Sequence, residues 1–224
     1  MEWSDDVSAG AWLQQSADGV PRGYRAYARI PHADGTEGQL DAATLAAIVT
    51  IAAAHTRTPD RAWIAIWDGW GGVLGFFGDT PARTFLAFAD EEPDDAVEAR
   101  HRQMLQRSIH DPVNNVFRKP VWQSGILSDE ISRGPRLEAG GHDHVLFRGG
   151  LAELTDAAWA ERVPWAERVT EWTASPSLLW PDDRAWVLVT DPDADTTVVA
   201  GPEALIAALI EDARMDASRT AAPS

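Results

Sequence analysis

The strongest constraint on the fold comes from residues 185–201, AWVLVTDPDADTTVVAG, in which two apolar runs are separated by five residues. Both runs are rich in the β-branched residues that favour strands. Pro and Asp favour turns, and Asp side chains accept hydrogen bonds from free backbone amides. The segment therefore predicts a β-hairpin with strands at 184–190 and 196–200. A helix at 202–212 follows, with Pro202 at its first position.

Three other segments predict strands. GYRAYARI (23–30) and RAWIAIWD (61–68) place successive side chains on two faces with the period of two that is typical of a strand. HVLFRG (144–149) is the third strand. An Asp-Gly pair at 68–69 predicts a hairpin that returns as a strand at 84–90.

Helices are predicted at 8–15, from Asp41, over 91–110 and from Thr155. Asp is a favourable N-cap residue, and the segment 91–110 has acids in its first turn and bases later, which matches the helix macrodipole. The helix from Thr155 is expected to kink at Pro164, because proline has no backbone N–H to donate.

The order of these elements predicts the fold class. Strands and helices mix without regular βαβ alternation, and several strands pair as hairpins, which favours an α+β fold. Residues 111–141 show little periodicity and predict an irregular connection with one strand near Val121. The sequence therefore predicts a single α+β domain over 1–212, with a mainly antiparallel sheet and helices packed on it. A flexible tail is expected at 213–224.

Charge and cysteine content exclude several classes of protein. The chain has 35 acidic and 19 basic residues, a formal net charge of -16, and no Cys. Without Cys there are no disulfides, thiolate zinc sites or cysteine nucleophiles, and a reducing compartment is favoured. The acidic balance argues against nucleic acid and anionic membranes as partners. The acidic N-terminus is unlike a secretory signal, so we expect a cytoplasmic protein. The negative net charge favours a basic protein partner that binds to the acidic surface. The sequence does not predict the oligomeric state.

Acidic residues at alternate positions raise the question of a calcium loop. Asp191, Asp193 and Asp195 fit positions 1, 3 and 5 of an EF-hand, but Thr196 and Pro202 stand where its glycine and its bidentate glutamate belong. The hairpin explains these residues better, because exposed acids also deter edge-to-edge pairing of strands. We therefore expect no calcium site here.

A second metal hypothesis rests on two histidines. His142 and His144 are two residues apart, so on a strand both would face the same way, as two metal ligands can. The favoured interpretation is two surface histidines where a loop meets the strand 144–149. No third ligand follows in a known spacing, and the sequence predicts no metal site. A metal-dependent hydrolase built on this pair and the Asp191 cluster is the least favoured alternative. The chain also has no complete GxGxxG, P-loop or GxSxG motif, so no cofactor is expected.

The remaining candidate site is aromatic, since the chain has 11 Trp. Two segments combine indole rings with turn residues and could wall a ligand pocket in which an Arg binds a carboxylate or phosphate. The candidate ligand-binding residues are Trp67, Asp68, Trp70, Trp180, Asp182, Arg184 and Trp186. The alternative is that the tryptophans fill the core at the ends of the sheet while Asp182 or Asp183 pairs with Arg184.

The same segments carry a resemblance. The blocks TPDRAWIAIWDGWG (58–71), a short LFRG strand within 144–149 and SPSLLWPDDRAWVLVTDPDADTTVVAGPEALI within 175–210 make the chain similar to a family of bacterial proteins without an established activity. The resemblance implies a shared architecture and one folding unit, and it transfers no catalytic residue. A further likeness, to small acidic immunity proteins that neutralise toxins, rests on charge and size alone.

These observations favour a non-enzymatic binding or interaction protein with an acidic surface. The first alternative is a small-molecule-binding protein, or an enzyme without a recognisable motif, that uses the Trp-lined pocket. Catalytic residues are not assigned.

Overall fold

The computed structural model describes residues 1–15, 20–33, 36–77, 121–166 and 173–222. Within them, nine strands form one sheet with only antiparallel pairs, which confirms the predicted α+β fold. The strands are β1 (Glu2–Trp3), β2 (Ala26–Pro31), β3 (Ala62–Trp67), β4 (Phe76–Phe77), β5 (Trp122–Gln123), β6 (Leu137–Ala139), β7 (His142–Gly149), β8 (Leu178–Pro181), β9 (Val187–Thr190), β10 (Thr196–Gly201) and β11 (Ser218–Thr220). The sheet order is β1-β7-β3-β8-β9-β10-β2-β11, with β6 also paired to β7, and β4 pairs with β5 separately.

The described helices are α1 (Ala42–Ala53), α2 (Asp129–Arg133), α3 (Trp159–Arg162) and α4 (Glu203–Glu211), together with 3-10 helices at Val7–Gln15 and Leu151–Leu154. Of these, α1 and the first 3-10 helix begin within one residue of the predicted positions. Asp41 caps α1 as predicted, because its carboxylate accepts hydrogen bonds from the amides of Ala43 (3.0 Å) and Thr44 (2.9 Å). Pro202 was predicted to be the first residue of α4. It is instead the N-cap, and the helix begins one residue later, at Glu203.

Both faces of the sheet are covered by apolar side chains. Ile64 and Ile66 of β3 belong to the core beneath α1 and α4. Trp63 and Ala65 belong to a second core on the other face, which includes Leu13 of the first 3-10 helix. This division confirms the alternation predicted for 61–68 and explains why β3 is buried on both sides.

The hairpin predicted after β3 needs correction. β3 has β7 on one edge and β8 on the other, so no edge is left for the next segment of the chain. The Asp-Gly turn instead leads out of the sheet towards β4. The predicted strand 84–90 and helix 91–110 lie outside the described residues.

Two further predictions are corrected at the C-terminal side. In the described part of the helix predicted from Thr155, residues 155–166, there is a single turn, α3, which ends at Val163 in an extended conformation (ψ 152°). The next residue is Pro164, which disfavours a helical conformation in the residue before it, so it ends the helix where a kink was predicted. The tail predicted at 213–224 contains β11, which pairs with β2.

The region 111–141 is more regular than predicted. Its residues from 121 onwards form β5, α2 and β6, and β5 confirms the strand expected near Val121. β6 and β7 are joined by Gly140 and Gly141, both with positive φ (60° and 78°), as a tight two-residue hairpin requires. This turn sets the position of His142.

Candidate functional site

Four acidic residues lie at the end of the sheet where β7 begins and β9 ends, with Asp143 and Glu138 on the face of the sheet opposite to His142, and we call Glu138, Asp143, Asp191 and Asp193 the acidic sheet end. Glu138 and Asp143 are direct partners in the β6–β7 pair, and both are exposed. Asp191 and Asp193 lie in the β9–β10 turn, with carboxylate oxygens 3.7 Å and 4.0 Å from Nε2 of His142 on β7. His142 therefore connects two hairpins that are distant in the sequence.

These carboxylates have no basic partner of the Arg or Lys type within 4.0 Å among the described residues. Other acids of the chain are paired, as Asp68 is with Arg136 (3.4 Å). Like charges directly opposite each other in a sheet are destabilising. The acidic sheet end therefore has a negative potential that favours a cation.

A cleft lies beside the acidic sheet end and contains both histidines that the sequence singled out. His142, His144, Thr190 and Asp191 are among its lining residues. The two histidines therefore face the same side of β7, but the expectation of two surface histidines is wrong for His144, which is buried. The sequence placed Asp191 with these histidines only in its least favoured alternative, whereas the structure places it in the lining of the same cleft.

His144 is the buried member of the pair, with only 2% of its surface exposed. Burial lowers the pKa of its ring to about 4, so the ring is neutral at physiological pH. Its Nδ1 lies 3.2 Å from the carbonyl oxygen of Leu137, which can only accept a hydrogen bond. The ring proton is thus on Nδ1, and Nε2 carries a lone pair for which the described residues provide no hydrogen-bond donor.

The first aromatic segment adjoins this cleft. The rings of Trp67 and Trp70 are half-buried and meet edge-on at 5.0 Å, and Trp67 meets the ring of His142 at 5.7 Å and 74°. Asp68 forms an ion pair with Arg136. This half of the predicted Trp site therefore fixes the orientation of the His142 ring.

The second aromatic segment is packed inside the protein. Trp180 and Trp186 are both fully buried and belong to the two cores on opposite faces of the sheet. Trp180 pairs with Trp63 near the start of β3, whereas Trp67 ends that strand. The structure thus does not bring the two segments together around one opening.

The charged residues of the second segment also have structural contacts. Asp182 accepts a hydrogen bond from Nε1 of Trp63 (3.0 Å) and pairs with Arg61 (3.4 Å). The guanidinium of Arg184 lies over the ring of Trp12, at 5.2 Å from its centre. The predicted pairing of Asp182 with Arg184 is replaced by these contacts.

Asp183 likewise pairs away from Arg184. Its carboxylate accepts hydrogen bonds from the Thr56 hydroxyl (2.7 Å) and the Arg57 amide (2.8 Å). These bonds lower the pKa of Asp183 despite partial burial. Asp183 therefore connects the loop between α1 and β3 to the turn after β8.

The turn at Asp191 has the hairpin geometry that was predicted. The side chain of Asp191 accepts a hydrogen bond from the amide of Asp193 (2.8 Å), and β9 pairs with β10. Asp195 is not part of the group around His142. The one sequence signal that bears on the position of His142 is the Gly140-Gly141 pair between two strand-like runs, which is a hairpin signal.

Comparison with known proteins gives no further assignment. No family model, curated protein or solved structure matches the chain. The resemblance to a bacterial family therefore stays a prediction. Within the described part of the chain, no helix is both long and apolar enough to cross a membrane.

Proposed function

We propose that the protein is a non-enzymatic binding protein that receives a positively charged partner at the acidic sheet end. The observation that supports the proposal most directly is the pair Glu138 and Asp143, which lie opposite each other with no Arg or Lys nitrogen within 4.0 Å among the described residues. The two carboxylates repel each other in the free protein. A cationic side chain placed between them relieves this repulsion and adds attraction.

Long-range electrostatics support the same partner class. The formal net charge of -16 attracts a basic partner before contact and raises the association rate. Exposed charges are screened over about 10 Å at 0.1 M salt. Binding at this surface is therefore expected to weaken steeply as salt is added.

A labelled decalysine peptide tests the proposal by fluorescence anisotropy at low and physiological salt. The unmodified protein is expected to bind, and to lose roughly tenfold in affinity when salt rises from about 20 to 200 mM. The double variant Glu138→Gln/Asp143→Asn is expected to bind about three- to tenfold more weakly at low salt, since each exposed ion pair contributes up to about 1 kcal/mol.

The matched control is Glu211→Gln/Asp216→Asn. It removes the same two charges at exposed positions near β11, at the sheet edge opposite β6 and β7. Equal loss of affinity in both double variants would show that net charge alone attracts the peptide, and the proposed surface would then be abandoned.

A further inference from the structure

The cleft beside the acidic sheet end has a feature that a basic protein partner does not explain. One imidazole nitrogen and two carboxylates, from His142, Asp191 and Asp193, all lie within 4.8 Å of one another. We infer that these three residues form a binding site for a divalent transition-metal ion of the zinc type. The inference does not depend on the proposed binding of a basic partner.

The spacing of the three ligand atoms suits such an ion. Zinc bonds to His nitrogen and carboxylate oxygen are about 2.0–2.2 Å long, which places tetrahedral ligands about 3.4 Å apart. The two distances from Nε2 of His142, 3.7 Å and 4.0 Å, exceed this value by a few tenths of an ångström. The Asp193 side chain is 84% exposed, so it can rotate towards the ion without disturbing the core.

The surroundings hold His142 in a suitable orientation. Its ring is packed edge-on against Trp67, and its Nε2 is the atom that lies next to both carboxylates. A ligand whose ring is fixed before binding loses little conformational freedom when the metal arrives. Asp191 and Asp193 have no Arg or Lys partner in the described residues, so their charge is available to a cation.

A second, independent observation comes from His144, which lines the same cleft and is 2% exposed. Its Nδ1–H is held by the Leu137 carbonyl, an arrangement that in metal sites fixes the tautomer and presents the lone pair of Nε2. The described residues give this Nε2 no hydrogen-bond donor, and the atom opens onto the cleft. A water bound to a metal ion held by His142 and the two carboxylates would be placed to donate a hydrogen bond to it.

The donor types favour zinc-like ions over calcium and magnesium. Imidazole suits Zn²⁺, Co²⁺ and Ni²⁺, whereas Ca²⁺ and Mg²⁺ prefer sets of oxygen ligands. The turn also lacks the glycine and the bidentate glutamate of a calcium loop, since Thr196 and Pro202 occupy those positions.

Isothermal titration of the EDTA-treated and dialysed protein with Zn²⁺ tests the inference. One equivalent is expected to bind, and Ca²⁺ is expected to bind at least tenfold more weakly. Asp191→Asn and His142→Gln are each expected to weaken Zn²⁺ binding about tenfold or more. Co²⁺ should give visible absorption bands that disappear in the same variants.

The matched controls are Asp195→Asn, which removes one charge from the same turn, and His55→Gln, which removes a histidine far from the cleft. Both should retain the affinity of the unmodified protein within about twofold. The inference is overturned if no stoichiometric Zn²⁺ binding occurs, if Asp191→Asn and Asp195→Asn behave alike, or if Ca²⁺ binds as tightly as Zn²⁺. None of these results bears on the decalysine experiment, so the two proposals fail separately.

Discussion

His144 shows how burial determines the charge of a single residue. A histidine in an unfolded chain titrates near pH 6.5, whereas burial lowers the pKa of His144 to about 4. The unfolded chain therefore binds a proton between these two values that the folded protein does not bind. Stability contributed by the neutral ring is complete above pH 6.5 and is lost as the pH falls towards 4.

The free energy of unfolding in EDTA is therefore expected to decrease by about 3 kcal/mol between pH 7 and pH 4 through His144 alone, since one pKa unit corresponds to about 1.4 kcal/mol. Urea denaturation at several pH values measures it. His144→Asn keeps an N–H that can reach the Leu137 carbonyl but does not titrate, so its pH slope should be clearly shallower. A slope unchanged from that of the unmodified protein would assign the acid sensitivity to other groups.

Between pH 6.5 and 4.5 the change in the free energy of unfolding that His144 causes can be separated from the change that carboxylates cause. Asp41 and Asp183 have lowered pKa values, so they lose their stabilising hydrogen bonds only at more acidic pH. The pKa of His32 is also lowered, mainly by burial, and contributes with the same sign as His144. His55→Gln serves as the control, because it removes a histidine but retains the rings of His32 and His144.

At the scale of the element, α1 depends on the side chain that begins it. Asp41 satisfies two amides that have no partner within the helix. Asp41→Ala is expected to lower the free energy of unfolding by about 1 kcal/mol, and Asp41→Asn by much less, because asparagine also accepts from these amides. Chemical denaturation at pH 7 measures both. Equal losses in the two variants would mean that the charge, and not the cap, supports the helix.

Elements with a local signal were predictable from the sequence. α1 has a cap, β3 has alternating faces that pack in two cores, and the β9–β10 hairpin has turn residues between two β-branched runs. Each signal acts within a few residues, so it does not depend on the rest of the fold.

Elements without a local signal were missed. All four residues of β8 are buried, so the strand shows no alternation, and it ends in Pro181. β11 is the opposite case, because two of its three residues are exposed and it is held by backbone pairing with β2. Neither pattern separates a strand from a loop by periodicity.

The sequence named the histidines and the Asp191 cluster together only in its least favoured alternative, and topology explains why it could not predict their contact. His142 belongs to the β6–β7 hairpin and Asp191 to the β9–β10 hairpin, and β3 and β8 lie between β7 and β9 in the sheet. Spacing along the chain therefore contains no information about their contact. The Trp segments show the converse, since similar residue types do not imply a shared pocket.

At the scale of the whole molecule, charge is distributed unevenly. Several acids are paired with a nearby Arg, as Asp156 is with Arg162 and Glu203 with Arg219. Exposed pairs of this kind contribute at most about 1 kcal/mol each. The acidic sheet end has no such pairing with Arg or Lys in the described residues, so its four negative charges add to the electrostatic repulsion within the protein.

Salt is therefore expected to stabilise the protein. With a formal net charge of -16, screening of self-repulsion should outweigh the weakening of surface ion pairs, and the unfolding midpoint should rise by a few degrees between about 20 and 300 mM NaCl. Thermal melts followed by circular dichroism measure it. Glu138→Gln/Asp143→Asn should melt higher than the unmodified protein at low salt and respond less to salt than Glu211→Gln/Asp216→Asn, because only the first pair removes a direct cross-strand repulsion. A midpoint that falls with salt would mean that local ion pairs, and not the excess of acids, dominate the electrostatic free energy of this fold.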